Sequence, residues 1–318
     1  MARGLQSRLA YHTWREHRLA DGFAAAPSRT AAQDDAITKA LGLGRPTLSE
    51  SESKQLLAAW GVASAREHRA NSAEAAVEAA EQLGFPVALK LDSPDILHKT
   101  EAGVVRLNLR DAAQVRTGYA EIFASAKAYL NALPLDGGGH LGLKALPLDG
   151  GGLGGGDAAI APPAATGAER PSSPPPRPSP IKGEGVEITG VSVQEMVGEG
   201  VEVIIGVNCD PQLGPVLLFG SGGVMVEVYN DVALRRCPIT RSEAQAMIAE
   251  VKGARLLQGF RGRPAADLEA LADTLVHVSH LAMHLEGHLA ELDINPLMVL
   301  PSGQGVKAVD ALVVFRGT

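Results

Sequence analysis

Three oxygen-bearing side chains stand two residues apart in the run HLAELDINPLMVL at positions 288–300: Glu291, Asp293 and Asn295, each between apolar neighbours. In an extended strand residues i, i+2 and i+4 share a face. The three therefore project together, while Leu292, Ile294 and Leu297 serve a core. The closing run GVKAVDALVVF, read as one last strand, carries Asp310 in a similar alternation. Two adjacent strands would then offer Asn295 and Asp310 as oxygen ligands. Hard cations such as Mg²⁺ take that donor set and complete it with phosphate oxygens and water. The same alternation also describes the polar, solvated face of an edge sheet.

Three further features carry possible chemistry. Lys90 ends the apolar run PVALK, where a lysine either snorkels from a strand end or holds a phosphate as a point charge. FGSGG at 219–223 follows a β run; it reads either as a hairpin turn or as a loop whose N–H groups cradle phosphate. His98 lies in a loop beside Lys99 and Glu101, the best-placed nucleophile or proton relay in the chain. There is no G-x-x-x-x-G-K-[ST], no G-x-G-x-x-G after a strand and no nucleophile elbow. A bound nucleotide would need another scaffold.

The elements that must position these residues are legible in outline. RGLQSRLAYHTWREHRL is compatible with one helix, and the stretch that follows it reads as a linker with a short second helix. Order is expected from TLSESESKQLLAAWGV, where Ser49 or Ser51 caps a helix carrying Leu56, Leu57 and Trp60, and Gly61 stops it. NSAEAAVEAAEQLGF is a helix ended by Gly84, PVALKL and VVRLNL are short strands, and AAQVRTGYAEIFASAKAYL is an amphipathic helix. Val/Ile-rich runs from ITGVSVQEMV to VMVEVYNDVALRRCPI predict a sheet. Two helices follow, the first opened by a capping box of Thr240 and Glu243. Alternating helices and strands argue for an α/β or α+β domain.

Between the two organised parts, positions 134–185 hold 13 of the 36 glycines and 10 of the 20 prolines, and ALPLDGGG at 132–139 recurs at 145–152. Such a segment buries too little apolar area to offset its chain entropy and is expected to be disordered, as a linker or as an insertion within one domain. A net charge of −7 gives no electrostatic basis for binding nucleic acid or an anionic membrane. Cys209 and Cys237 make neither a disulfide framework nor a metal pair. No apolar run reaches the roughly 18–20 residues of a membrane span, and the first residues lack a signal-peptide core. The expectation is a soluble, cytoplasmic protein.

These strings, in order, resemble a known family. GFPVALKLDSPDILHKTEAGVVRLNL, then GVSVQEMVGEGVEVIIGVNCDPQLGPVLLFGSGGVMVEV, DVALRRCPIT and ELDINPLMV…AVDALV look like the ATP-grasp domain of NDP-forming acyl-CoA synthetases, relatives of succinyl-CoA synthetase. The resemblance implies an ATP-grasp fold of two subdomains clasping a nucleotide, over residues 47–131 and 187–316. Residues 132–186 become an insertion, and 1–46 resemble the tail of a preceding CoA-ligase portion. The implied reaction is acid + CoA + ATP ⇌ acyl-CoA + ADP + phosphate, run through phosphohistidine, with ATP/ADP and Mg²⁺ bound here. The phosphohistidine would be carried by a separate CoA-binding subunit, in a hetero-oligomer. Two other readings stay open: a nucleotide-binding module or remnant without turnover, and a carboxylate–amine ligase.

Residue by residue, Lys90 resembles the lysine that holds a nucleotide phosphate. Glu195, Met196 and Val197 resemble the hinge that meets adenine, and Glu202 the carboxylate on the ribose. Asn295 and Asp310 resemble the Mg²⁺ ligands, Asp293 the carboxylate that orients the incoming phosphohistidine, and His98 a loop histidine that accepts phosphate. Arg235 is a further candidate for phosphate contact. One position departs from the pattern. The family reads H-K-[ST]-[DE]-x-G-G-V and this chain reads HKTEAGVV, with Val104 at the second glycine. A β-branched residue is costly there if the site needs positive φ.

Overall fold

The computed structural model describes residues 27–93, 102–132, 188, 190–210, 212–222, 231–259, 262 and 264–316. His98, the helix expected near the N-terminus and nearly all of the Gly/Pro-rich insertion lie outside the described residues. Two sheets organise the rest, each with its own core.

The smaller sheet has four strands: β1 (Glu67–Ala70), β2 (Val87–Asp92), β3 (Val105–Leu109) and β4 (Gly190–Glu195), in the order β1-β4-β2-β3, all antiparallel. Two helices, α3 (Ala73–Leu83) and α4 (Ala112–Ala132), cover it. The Ser72 hydroxyl caps α3, and Gly84 at φ +88° ends it, a conformation that favours glycine. Val104 belongs to this core. It is fully buried, and its carbonyl accepts the Leu91 N–H at 3.0 Å. The left-handed residue beside it is Gly103, at φ +64°, and Asn108 is the only non-glycine residue with positive φ among those described. The valine that departs from the family pattern therefore sits in a backbone that accepts it.

The larger sheet has six strands. Its main path is β10 (Ala311–Phe315), β8 (Leu289–Val299), β5 (Val201–Asp210), β6 (Gly214–Ser221) and β7 (Val232–Arg236), with β9 (Val306–Ala308) paired to β8. One face packs on α5 (Arg241–Glu250), α6 (Ala254–Leu257) and α7 (Leu268–His284) through Val203, Ile205, Leu217, Phe219, Leu292 and Ile294. Helix α2 (Glu50–Ala58) packs against β10, and α1 (Ala31–Gly42) against α2. The sequence expectation for these parts holds with one addition. Ser49 is the N-cap of α2 and forms a capping box with Glu52, and Thr240 does the same with Glu243. The short helix read as part of a linker is α1; it has its own Thr30–Gln33 capping box and contributes Ile37 and Ala40 to the larger core.

The closing run differs from its expectation as one continuous strand. It is two strands, β9 and β10, broken at Val309–Asp310. The break has a hydrogen-bonding cause. The Val309 N–H turns to the Pro296 carbonyl at 3.0 Å, and the Val309 carbonyl accepts from Lys90 Nζ and Gln194 Nε2, both at 2.9 Å. Those donors come from the smaller sheet, so Val309 is a seam between the two.

Candidate active site

Antiparallel partners lie on the same face of a sheet, so the register assigns the side of the larger sheet that faces away from α5 and α7. Asp293 pairs with Gly206 on β5 and Leu312 on β10, Glu291 with Asn208 and Val314, and Gly206 with Leu218. This face therefore carries Glu291, Asp293, Gly206, Leu218 and Leu312, with Glu202 further along β5. The helix-facing neighbours Leu292 and Ile294 are buried and Asn295 is exposed, so the alternation read from the sequence is the one observed. At Asn295–Pro296 β8 carries one extra residue against β5: Val203 pairs with Leu297, but Ile205 pairs with Ile294. Bulges of this kind bend a strand and re-aim its side chains. Beyond it, the Asn295 N–H donates to the Asp310 carbonyl at 3.3 Å, which sets the two expected ligand residues side by side.

Lys90 reaches this place from the other sheet. Its Nζ lies 2.8 Å from Glu50 Oε1, 2.9 Å from the Val309 carbonyl and 3.5 Å from Asp310 Oδ2. It is 5% exposed, and Glu50 is 6% exposed. Glu50 Oε1 also accepts from Lys54 Nζ at 2.6 Å, and Lys54 reaches Glu67 on β1 at 2.7 Å. Burial alone would depress the Lys54 ammonium, but Glu50 and Glu67 outweigh it and hold the ammonium above its ordinary value. Buried charges persist only when paired and hydrogen-bonded. This chain of pairs runs from β1 through α2 to the β9–β10 break. The local signal for Glu50 and Lys54 in the sequence is their i, i+4 spacing behind the Ser49 cap, which a solvated helix face shares.

Asp293 has the opposite surroundings. Burial first, then the charges of Glu291 and Asp310, push its carboxyl up to about 6. Gathered carboxylates of this kind favour a cation, and the side chains of Asn295 and Asp310 carry oxygen atoms of the hard type that divalent cations prefer. Among the described residues no group of three or more His, Cys, Asp and Glu is arranged to hold a metal ion. A divalent cation on this face would therefore draw much of its shell from phosphate and water.

The remaining expected residues fall into two groups. Glu195, at the end of β4, is a buried strut. Burial would raise its carboxyl, but donation from Lys307 and from the backbone and side chain of Arg66 holds it below the ordinary range. Met196 is exposed and donates its N–H to Pro86, and Val197 follows in the connection that leads to β5. Glu202 is exposed, and its carbonyl accepts the Gly222 N–H at 2.9 Å. A side chain at Gly222 would put its Cβ 2.7 Å from the Glu202 backbone, so the glycine of FGSGG serves a close approach of two strands. Arg235 is not brought to this site. It pairs with Leu217 on the helix-facing side, and its Nη2 meets Glu250 on α5 at 2.7 Å.

A family model described as an ATP-grasp domain matches residues 39–137 and 181–315, on either side of the Gly/Pro-rich stretch. The β subunit of Pyrococcus furiosus acetate–CoA ligase [ADP-forming] II is 34% identical over 281 residues, 88% of this chain and 97% of that protein. The chain belongs to the ATP-grasp family of ADP-forming acyl-CoA synthetases. The β subunit of the Pyrococcus furiosus isoenzyme I is 31% identical over 90% of this chain and 99% of its own length. Among solved structures, acetyl-coenzyme A synthetase 1 of Ca. Korarchaeum cryptofilum, in complex with coenzyme A, Ca-AMPCP and HgCl⁺, aligns with a TM-score of 0.68 at 33% identity. That alignment covers 89% of this chain and 99% of the other. PH1788 from Pyrococcus horikoshii aligns with a TM-score of 0.69 at 32% identity, over 90% of this chain and 99% of its own. The ATP-grasp assignment agrees with the two sheets described above. No described helix is long and apolar enough to cross a membrane.

Proposed function

We propose that this chain performs the nucleotide half-reaction of an ADP-forming acyl-CoA synthetase, acid + CoA + ATP ⇌ acyl-CoA + ADP + phosphate, as the cytoplasmic partner of a separate CoA-binding subunit. The observation that carries the reading is the meeting of Lys90 and Asp310, 3.5 Å apart, from two sheets and across 220 residues of sequence. It gains support from the near-complete coverage of β subunits by this chain. A relative solved with Mg-AMPPCP has a phosphohistidine segment pointing towards its nucleotide binding site.

In this reading the nucleotide runs from the end of β4 and Glu202 to the meeting of Lys90 and Asp310. The adenine meets peptide groups of Glu195, Met196 and Val197, and the ribose meets Glu202. Lys90 holds a phosphate oxygen as a point charge, kept in place by Glu50. Asn295 and Asp310 would hold Mg²⁺, which when bound neutralises phosphate charge. Catalysis by the chain is then mostly positioning and charge neutralisation. The nitrogen lone pair of a partner imidazole forms the new N–P bond as the phosphoryl group breaks from the His98 nitrogen, which took it from ATP as ADP left. Asp293 accepts the hydrogen bond of the other ring nitrogen and stabilises the charge that develops there. His98 serves as a phosphate relay. Arg235, engaged with Glu250, takes no part. The segment 132–186 is an insertion at a surface joint, where added length costs little.

Asp310→Ala tests the reading. Calorimetry with ADP should show affinity falling by about 10-fold or more in Mg²⁺ and little in EDTA, because what is lost is a charged ligand to the cation. Label from γ-phosphate-labelled ATP should also no longer reach the CoA-binding subunit. Equal losses of affinity in Mg²⁺ and in EDTA would remove Asp310 from the metal.

A further inference from the structure

Gly206 stands in the middle of β5, a strand paired on both sides, where glycine weakens a sheet. Its backbone does not require glycine, since it is absent from the residues with positive φ. Its surroundings do not require it either. A Cβ built there would lie 3.7 Å from Leu218 Cβ and 3.9 Å from Asp293 Oδ1, ordinary van der Waals contacts. Gly222 is a useful contrast, because a Cβ there would run into the Glu202 backbone at 2.7 Å. The fold accounts for Gly222 and leaves Gly206 unexplained.

What the missing side chain leaves open is a slot. Gly206 is the floor between Leu218 on β6 and Asp293 on β8, with Leu312 beyond Asp293 on β10. Two strand spacings separate β6 from β8, roughly 9–10 Å. The floor is bare backbone, one wall is the Leu218 side chain, and the other is the carboxyl group of Asp293. A flat ring brought edge-first over the Gly206 Cα would direct one N–H at Asp293 Oδ1. A donor nitrogen sits about 2.8–2.9 Å from the oxygen it meets. A methyl 3.9 Å from that same oxygen would occupy the space of the ring's next atoms.

We propose that Gly206 is a positioning residue for phosphoryl transfer, holding open the β5 side of Asp293 so that a planar imidazole can dock edge-on to its carboxyl. The inference rests on the proposed function for the identity of the ring, and it adds the residue that decides whether the ring fits. The size of the residue at 206 then sets transfer without touching the nucleotide subsite.

The test uses the full chain co-purified with its CoA-binding subunit, comparing wild type with Gly206→Ala and Gly206→Val. Expected for Gly206→Ala is an unchanged or higher Tm, an ADP affinity within twofold of wild type, and label transfer from ATP to the CoA-binding subunit reduced at least tenfold. Gly206→Val should reduce transfer further. Transfer at the wild-type rate in a folded Gly206→Ala protein overturns the inference, as does a Tm lowered by several degrees, which would make the glycine structural. If the wild-type pair itself transfers no label, it is the proposed function that falls.

Discussion

Asp231 and Asp267 are met by backbone N–H groups, whereas Asp293 faces other carboxylates. The Asp231 carboxylate accepts from Lys252 N at 2.7 Å, Gly253 N at 2.9 Å and Ser221 Oγ at 2.8 Å, which ties the end of β6 to the turn before α6. Burial would raise its carboxyl, but these bonds hold it below the ordinary range. Asp267 caps α7 through Ala270 N and also accepts from Gly303 and Gly305; led by the Gly305 bond, these hold it low as well. Asp293 is pushed the other way, by burial and by Glu291 and Asp310. The difference separates two uses of the same side chain. An aspartate surrounded by donors stabilises a fold. One surrounded by acids costs stability and is kept for what it can bind.

Substitutions should break this comparison in opposite directions. The largest effect on stability is expected at Asp231. Asp231→Asn loses charge-assisted bonds in a buried site and should cost about 2–4 kcal/mol by denaturant titration at pH 7. The wild-type contribution is present above the unfolded aspartate value and is lost as pH falls through the lower folded value, so the gap should close only below about pH 4.

Asp267→Ala follows, at about 1–2 kcal/mol for a lost N-cap together with the loosened turn at 303–305. It should raise amide exchange at Gly303 and Gly305 before it changes exchange in the core of α7. Uniform exchange along both would show that the turn is held by something else.

Asp293→Asn should do the reverse. A carboxyl raised to about 6 contributes stability that is fully present below the unfolded value and is lost as pH rises through about 6. At pH 8 the charged wild-type group is therefore a burden. The variant should be more stable by about 1–2 kcal/mol at that pH, with the gain disappearing by about pH 4. Label transfer to the CoA-binding subunit proposed above should be lost in the same variant. A variant less stable than wild type at pH 8 would place Asp293 with Asp231 among the anchors.

Much of the scaffold was legible locally. Capping boxes at Ser49–Glu52 and Thr240–Glu243 need only residues three apart. The face shared by Glu291, Asp293 and Asn295 needs only the two-residue period of a strand. The short helix α1 was harder, because its weight lies in Ile37 and Ala40 packing on a core supplied by distant strands. The role of Glu50 and Lys54 is hidden from local sequence for a related reason. A charged pair on a capped helix reads as a solvated face until α2 is buried between the two sheets.

What the sequence by itself determined was therefore the set of elements, their ends, and which side chains share a face, since each follows from dihedral preference and short-range periodicity. Only the tertiary structure decided that Lys90 meets Asp310, that the last strand breaks where the Val309 carbonyl is drawn to the other sheet, that Arg235 turns to Glu250, and that a glycine lies opposite Asp293. These depend on which strands pair and in what register. Pairing is fixed by the summed burial of two cores, and no single segment carries that information.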